Sequence, residues 1–240
     1  MAAPAAADAL VVGPPAGGRD RIVDALRTAG LSVAALTEAE ALGRRDLSSP
    51  RLVVLIRGGP RAAREAAQVR LLAHPALHGA PLLVVGAETD VDSYGGALAR
   101  GAAAYMSSAA SPPEVRDLAR RLARAAERRR TEGRADDHDR RRARRPLLLK
   151  VEVEDRARST RLAGHIVDVG LSGCRLELAE PLPKGTPVGL QLHAYRESTG
   201  IVLAGSVRWT RPDEGDMHLV AVRFNGTSAL MARRLFGLRG

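Results

Sequence analysis

The run Arg140-Arg141-Arg142-Ala143-Arg144-Arg145-Pro146 and the turn Asp168-Val169-Gly170-Leu171-Ser172-Gly173 decide how the second half of this chain is read. Between them lies strand-like sequence, Leu147 to Glu154 and Arg161 to Val167. Five arginines in six residues just ahead of a strand can grip an anion with planar, two-pronged guanidinium groups, a geometry lysine cannot supply. Two glycines in the turn let the backbone pass close to a ligand or adopt a positive φ.

Outward from the turn, strands continue. Cys174-Arg175-Leu176-Glu177-Leu178 alternates between two faces. The loop Pro181 to Pro187 leads to a strand from Val188 to Ala194, and Ile201 to Thr210 and His218 to Phe224 follow, separated by the acidic turn Asp213-Glu214-Gly215-Asp216. Six strands with no intervening helix predict a six-stranded antiparallel barrel over residues 147–240. Thr227 is placed to cap a terminal helix running through Leu235.

The arginine run, the glycine turn and this strand pattern together resemble the PilZ domain, a small β-barrel that binds the second messenger cyclic di-GMP. In that family an RxxxR motif precedes the first strand and a D/NxSxxG motif sits in the first strand-to-strand turn. Arg141 and Arg145 match the first motif, with Arg140 and Arg144 as a second register; Asp168 and Gly173 match the second, while Gly170 occupies the serine position. Gly205-Ser206-Val207-Arg208-Trp209 and Val222-Arg223-Phe224 also resemble late strands of the family, with Ala221 where glycine is frequent. The resemblance covers about residues 138–225. It implies that Arg141 and Arg145 fork onto phosphate or guanine, that Asp168 accepts from guanine nitrogens, and that Gly173 permits close approach.

Upstream, residues 1–130 alternate apolar runs with helical stretches. Ala9 to Val12, Leu31 to Leu36, Arg51 to Ile56, Pro81 to Val85 and Ala102 to Met106 read as strands. Asp20 to Ala29, Glu38 to Leu42, Arg61 to Leu72, Asp92 to Ala99 and Pro112 to Arg130 read as helices between and after them. Five βα units predict a doubly wound, five-stranded parallel sheet with helices on both faces. The fold class is therefore α/β plus all-β, with residues 131–146 as an arginine-rich linker.

The stretches RLLAHPALHGAPLLVV (residues 70–85) and GAAAYMSSAASPPEV (residues 101–115) resemble the receiver domain of response regulators over about residues 8–130. The phosphorylation chemistry of that family is missing. Gly13 and Pro14 stand where the resemblance calls for an acidic pair that holds Mg²⁺, Ile56 where it calls for the phosphoacceptor aspartate, Gly86 at the hydroxyl position and Ser108 at the lysine position. None of these can bind Mg²⁺ through a carboxylate or accept a phosphoryl group on one. The resemblance implies a pseudo-receiver that signals by protein contact.

Composition sets the outer limits. The chain has 240 residues and a net charge of +10, and the stretch from Arg116 to Arg145 holds thirteen arginines against six acids. Such a tract can bind nucleic acid through phosphates, yet aromatic residues are only 2% of the chain, which leaves few stacking platforms for single strands. No run approaches the length of a membrane span, and the opening lacks the charged region of a signal peptide. One cysteine, Cys174, excludes an internal disulfide and fits a reducing, cytoplasmic compartment. Gly13-Pro14-Pro15-Ala16-Gly17-Gly18 is neither GxGxxG nor a P-loop, and its prolines remove amide donors. The six histidines are scattered without a metal-ligand spacing, and no catalytic triad is present, so neither an enzyme, a metal nor a cofactor is expected.

These readings converge on a non-enzymatic bacterial signalling protein. It would bind cyclic di-GMP and relay the signal by contact with a protein of the motility, polarity or exopolysaccharide machinery. Two alternatives stand beside this: an adaptor whose barrel has given up the ligand, and a basic nucleic-acid binder.

Overall fold

The computed structural model describes residues 7–15, 17–44, 47, 49–87, 91–135, 145–192, 201–213 and 215–238. The chain divides into two compact units, Met1–Ala135 and Asp136–Gly240.

In the first unit β1 (Ala9–Val12), β2 (Val33–Leu36), β3 (Leu52–Ile56), β4 (Leu82–Gly86) and β5 (Ala104–Ser107) form a parallel sheet in the order β2-β1-β3-β4-β5. β1 and β4 are buried at every residue and β3 at all but its last, because a parallel sheet is covered on both faces; β2, at the edge, is largely half-exposed. The helices are α1 (Gly17–Thr28), α2 (Glu38–Gly43), α3 (Arg61–Ala73), α4 (Val91–Ala99) and α5 (Pro112–Ala135). Winding reverses after β2, so right-handed crossovers put α1 on one face and α2, α3 and α4 on the other. The packing of α5 against α1 returns the chain to the first face. The expected doubly wound sheet is thus present. α5 runs five residues past Arg130, into the segment read as linker, and among the described residues no helix is long and apolar enough to cross a membrane.

A clasp joins the starts of the first two strands. The Asp8 amide donates to Ser32 Oγ (2.9 Å), while the Ser32 amide and hydroxyl both donate to Asp8 Oδ2 (3.0 and 2.7 Å). Arg51 Nη1 lies 3.7 Å from Asp8 Oδ1. The Ser32 hydrogen bonds, aided by Arg51, hold the Asp8 carboxyl below the usual carboxylate range. A carboxyl with a lowered folded-state pKa stabilises fully above its unfolded value, about pH 4, and that contribution fades as pH falls through the folded value. Thermal melts of wild type and Asp8→Asn should therefore converge as pH is lowered below about 4, with the wild type the more stable above it.

The second unit is a closed antiparallel barrel of six strands: β6 (Arg145–Asp155), β7 (Thr160–Gly170), β8 (Gly173–Leu178), β9 (Pro187–Leu192), β10 (Val202–Pro212) and β11 (His218–Phe224). The order is β10-β11-β8-β7-β6-β9, and β9 pairs with β10 to close it. Strand alternation supplies the filling: Leu149, Val151, Val153, Ile166, Val169, Cys174, Leu176, Val220 and Val222 are all buried on the inner face. β6 begins at Arg145, two residues before the expected strand start, so the last arginine of the run contributes its backbone to the sheet. α6 (Gly226–Phe236) follows β11, and its N-cap is Asn225 rather than Thr227. Asn225 accepts from the Ser228 amide (2.9 Å), and Ser228 Oγ accepts from the Ala204 amide (2.8 Å), which ties the helix to β10.

Candidate functional site

The β7–β8 hairpin turns on two residues, Leu171 and Ser172, with Gly170 paired to Gly173. Neither central residue takes a positive φ. Counting back gives Val169 opposite Cys174 and Asp168 opposite Arg175; a register shift at Val167 then puts Ile166 opposite Leu176. Val169, Cys174, Ile166 and Leu176 fill the interior. Asp168 and Arg175 therefore share the other face of the sheet.

Pairing on the far side of β7 brings in the arginine run. Arg145 is opposite Val169 and Pro146 opposite Asp168. Across β8, Arg175 is opposite Ala221, and Ala221 is opposite Trp209. One register line thus crosses five strands: Pro146, Asp168, Arg175, Ala221, Trp209. Sequence separation of more than sixty residues collapses to a single band of the barrel wall.

Within this band Asp168 and Arg175 form a buried ion pair. Their side chains are 2% and 8% exposed, and Nε and Nη2 of Arg175 both reach Asp168 Oδ2. Such a pair has strong mutual attraction but has lost its water, so it persists only when both charges are present. Trp209 is partly exposed, with the Arg211 guanidinium 5.2 Å from its ring centroid. That contact shows the indole face in use as a platform for a planar cation.

Of the residues singled out from sequence, Arg145, Asp168, Gly170 and Gly173 are brought together by strand pairing. Arg140, Arg141 and Arg144 lie outside the described residues. Gly173 has a packing role of its own: a Cβ there would fall well inside contact distance of the Val222 carbonyl oxygen and 3.2 Å from Arg223 Cα. Arg175 escaped the sequence reading. The signal for it was present, since a two-residue turn after Gly170 makes Asp168 and Arg175 cross-strand partners.

In the first unit, the carboxyl ends of β1, β3, β4 and β5 bring Gly13, Ile56, Gly86 and Ser108 side by side. The Arg57 amide donates to Val85 (2.8 Å) and the Ser108 amide to Gly86 (2.7 Å). A Cβ on Gly13 would stand 2.9 Å from Ile56 Cβ. Backbone and aliphatic carbon thus occupy the ground where carboxylates would have to converge. Among the described residues, no group of three or more His, Cys, Asp or Glu side chains comes together.

Residues 139–238 match the family model described as PilZ domain. Among solved structures, the chain is similar to the PilZ domain with c-di-GMP of YcgR from Escherichia coli, at 19% identity and a TM-score of 0.31, covering 42% of this chain and 92% of that one. The receiver domain of NtrX from Brucella abortus matches at 20% identity and a TM-score of 0.41, covering 49% of this chain and 98% of that one. The inhibitor of motility (MotI/DgrA) of Bacillus subtilis matches at 13% identity and a TM-score of 0.31, covering 41% of this chain; the match spans 48% of that protein's length. No curated protein matches the chain.

Proposed function

From the premise that residues 139–238 are a PilZ domain, we propose that this chain is a non-enzymatic signalling protein that binds cyclic di-GMP on the band around Asp168 and passes the signal on by protein contact. The observation that carries the reading is the strand register. It places the backbone of Arg145, the last arginine of the run, against Val169, and Asp168 one position further along the same wall.

The ligand's chemistry suits these groups. Cyclic di-GMP has two phosphates and two guanines, whose O6 and N7 edges accept hydrogen bonds and whose faces stack. Arginines fork onto either acceptor or lie flat on a base. In this reading Arg141 and Arg145 supply the forks, with Arg140 and Arg144 as the alternate register, and Trp209 offers an aromatic face in the same band. Asp168 accepts from guanine nitrogens while its charge stays balanced by Arg175. Gly170 withholds the hydroxyl that serine would give, a loss of about 1 kcal/mol, or several-fold in affinity. Capture links the arginine run to the barrel through the ligand, and a partner of the motility, polarity or exopolysaccharide machinery reads that change.

Calorimetric titration of the full chain with cyclic di-GMP tests this. Saturable binding at micromolar concentrations or tighter is expected for wild type, with no binding by Arg141→Ala or Arg145→Ala. No heat from a folded wild-type protein would sink the reading. It would leave the adaptor that no longer binds ligand, a reading that Gly170 and the Arg175 hold on Asp168 favour.

A further inference from the structure

α6 is fastened to the barrel along one side. Ser228, Ala232 and Phe236 are buried, and the hydrogen bond from the Ala204 amide to Ser228 Oγ holds the helix on β10. The opposite arc is open. With a turn of about 100° per residue, Leu230 falls at its centre, with Arg233 and Arg234 three and four positions on, one to each side. Met231 marks its border. Leu230 is 62% exposed and Met231 39%. Among the described residues four large apolar side chains are exposed, and three of them gather here: Leu230, Met231, and Val202, which lies two residues from Ala204 on β10. Ala232 and Phe236 already supply the apolar side that docks the helix, so Leu230 and Met231 stay in water without serving the core. Such a concentration marks a surface of contact.

The charge around these side chains has one sign. α6, Gly226 to Phe236, contains no acidic residue. Arg223 is exposed on β11, the other strand that α6 touches. The side chains of Arg223, Arg233 and Arg234 have no ion-pair or hydrogen-bond partner among the described residues.

We infer that this face of α6 rests on an anionic phospholipid surface, with Leu230 and Met231 entering between the headgroups and Arg233 and Arg234 on their phosphates. A second copy of the chain fits poorly, because a two-fold contact would set the same arginines against one another. A protein surface of mixed charge is held in register by both signs, whereas a lipid surface carries one sign and is met by one. Eleven residues are too few to span a bilayer, so the helix lies along its surface. The contact needs no ligand on the barrel.

Flotation of the full chain with vesicles of phosphatidylglycerol and phosphatidylcholine in equal parts, beside vesicles of phosphatidylcholine alone, tests the inference. Wild type is expected to float with the anionic vesicles and to stay behind with the neutral ones. Leu230→Ser/Met231→Ser should lower the partition coefficient by about tenfold or more. Arg233→Gln/Arg234→Gln should lower it by about thirtyfold, the effect of two charges near such a surface. Arg141→Ala/Arg145→Ala should bind as wild type, which assigns the contact to α6 and separates it from the dinucleotide reading. Thermal melts check that the variants fold, and Leu230→Ala/Met231→Ala replaces the serine pair if that pair does not. The inference falls if wild type does not float with anionic vesicles, if it floats equally with neutral ones, if either pair of α6 variants binds as wild type, or if the Arg141/Arg145 variant loses the binding. Wild type that ignores vesicles but elutes as a dimer, broken by the serine pair, would assign the face to a second copy instead; wild type that does neither would leave it to an acidic protein.

Discussion

Gly173→Ala is expected to unfold the barrel unit at temperatures the wild type withstands. The added methyl would be driven into the Val222 carbonyl oxygen and against Arg223 Cα, both backbone atoms of β11. A flexible side chain can move aside, but β11 cannot, because it is hydrogen-bonded on its other edge to β10. Gly173 also begins the strand that leaves the Leu171–Ser172 turn, and the Phe224 amide donates to Ser172 O (2.9 Å) just beyond it. Relief would require β8 and β11 to part at the point where three strands and a turn are joined. Overpacking of this kind costs about 1–3 kcal/mol, and more where backbone must shift. Against a typical domain stability of about 5–15 kcal/mol, the loss is large. Urea unfolding followed by Trp209 fluorescence, which reports on β10, measures it; an unchanged midpoint would show that the wall yields.

Removing either partner of the Asp168–Arg175 pair is expected to cost about 3–5 kcal/mol, because the other charge stays buried and loses this ion pair. The side-chain exposures of 2% and 8% leave little room for water to take its place. Asp168→Leu and Arg175→Met should each lower the urea midpoint strongly. The double variant should recover much of the loss, since a buried ion pair and an apolar pair of similar volume are often of comparable stability. Two single effects that simply add would show that the charges do not depend on each other. The same experiment clarifies the ligand question: Asp168 variants lose binding through unfolding as well as through contact, which is why the arginine variants are the ones to titrate.

Much of the fold was legible because burial leaves a periodic trace. Runs such as Ala9–Val12 and Leu82–Gly86 are apolar throughout since both faces of their sheet are covered, while Cys174 to Leu178 alternates because one face fills the barrel. The misses at Arg145 and at the cap of α6 share one cause, long-range pairing that overrides local signals. Arg145 looks like linker because it is charged and precedes proline, yet its register with Val169 draws it into β6. α5 reaches Ala135 although its last residues lack apolar spacing, since extending an anchored helix is far easier than starting one. Thr227 and Asn225 are both good caps, and the hydrogen bond between Ser228 Oγ and the Ala204 amide favours the start that serves β10. In the site, Asp168 and Gly173 were readable as a motif, whereas Arg175 emerges only when the turn is counted at two residues.

Closure of the barrel also limits how a partner can attach. With β9 joined to β10, the described strands of the second unit close on one another, and none of them forms a free border of the sheet, the place where a foreign segment is stitched on in both recognition and aggregation. The parallel sheet differs: its order leaves β2 and β5 each with one side unmatched. A partner that grips by donating a strand has those two borders of the first unit to use. The described wall of the barrel meets a partner through its side chains.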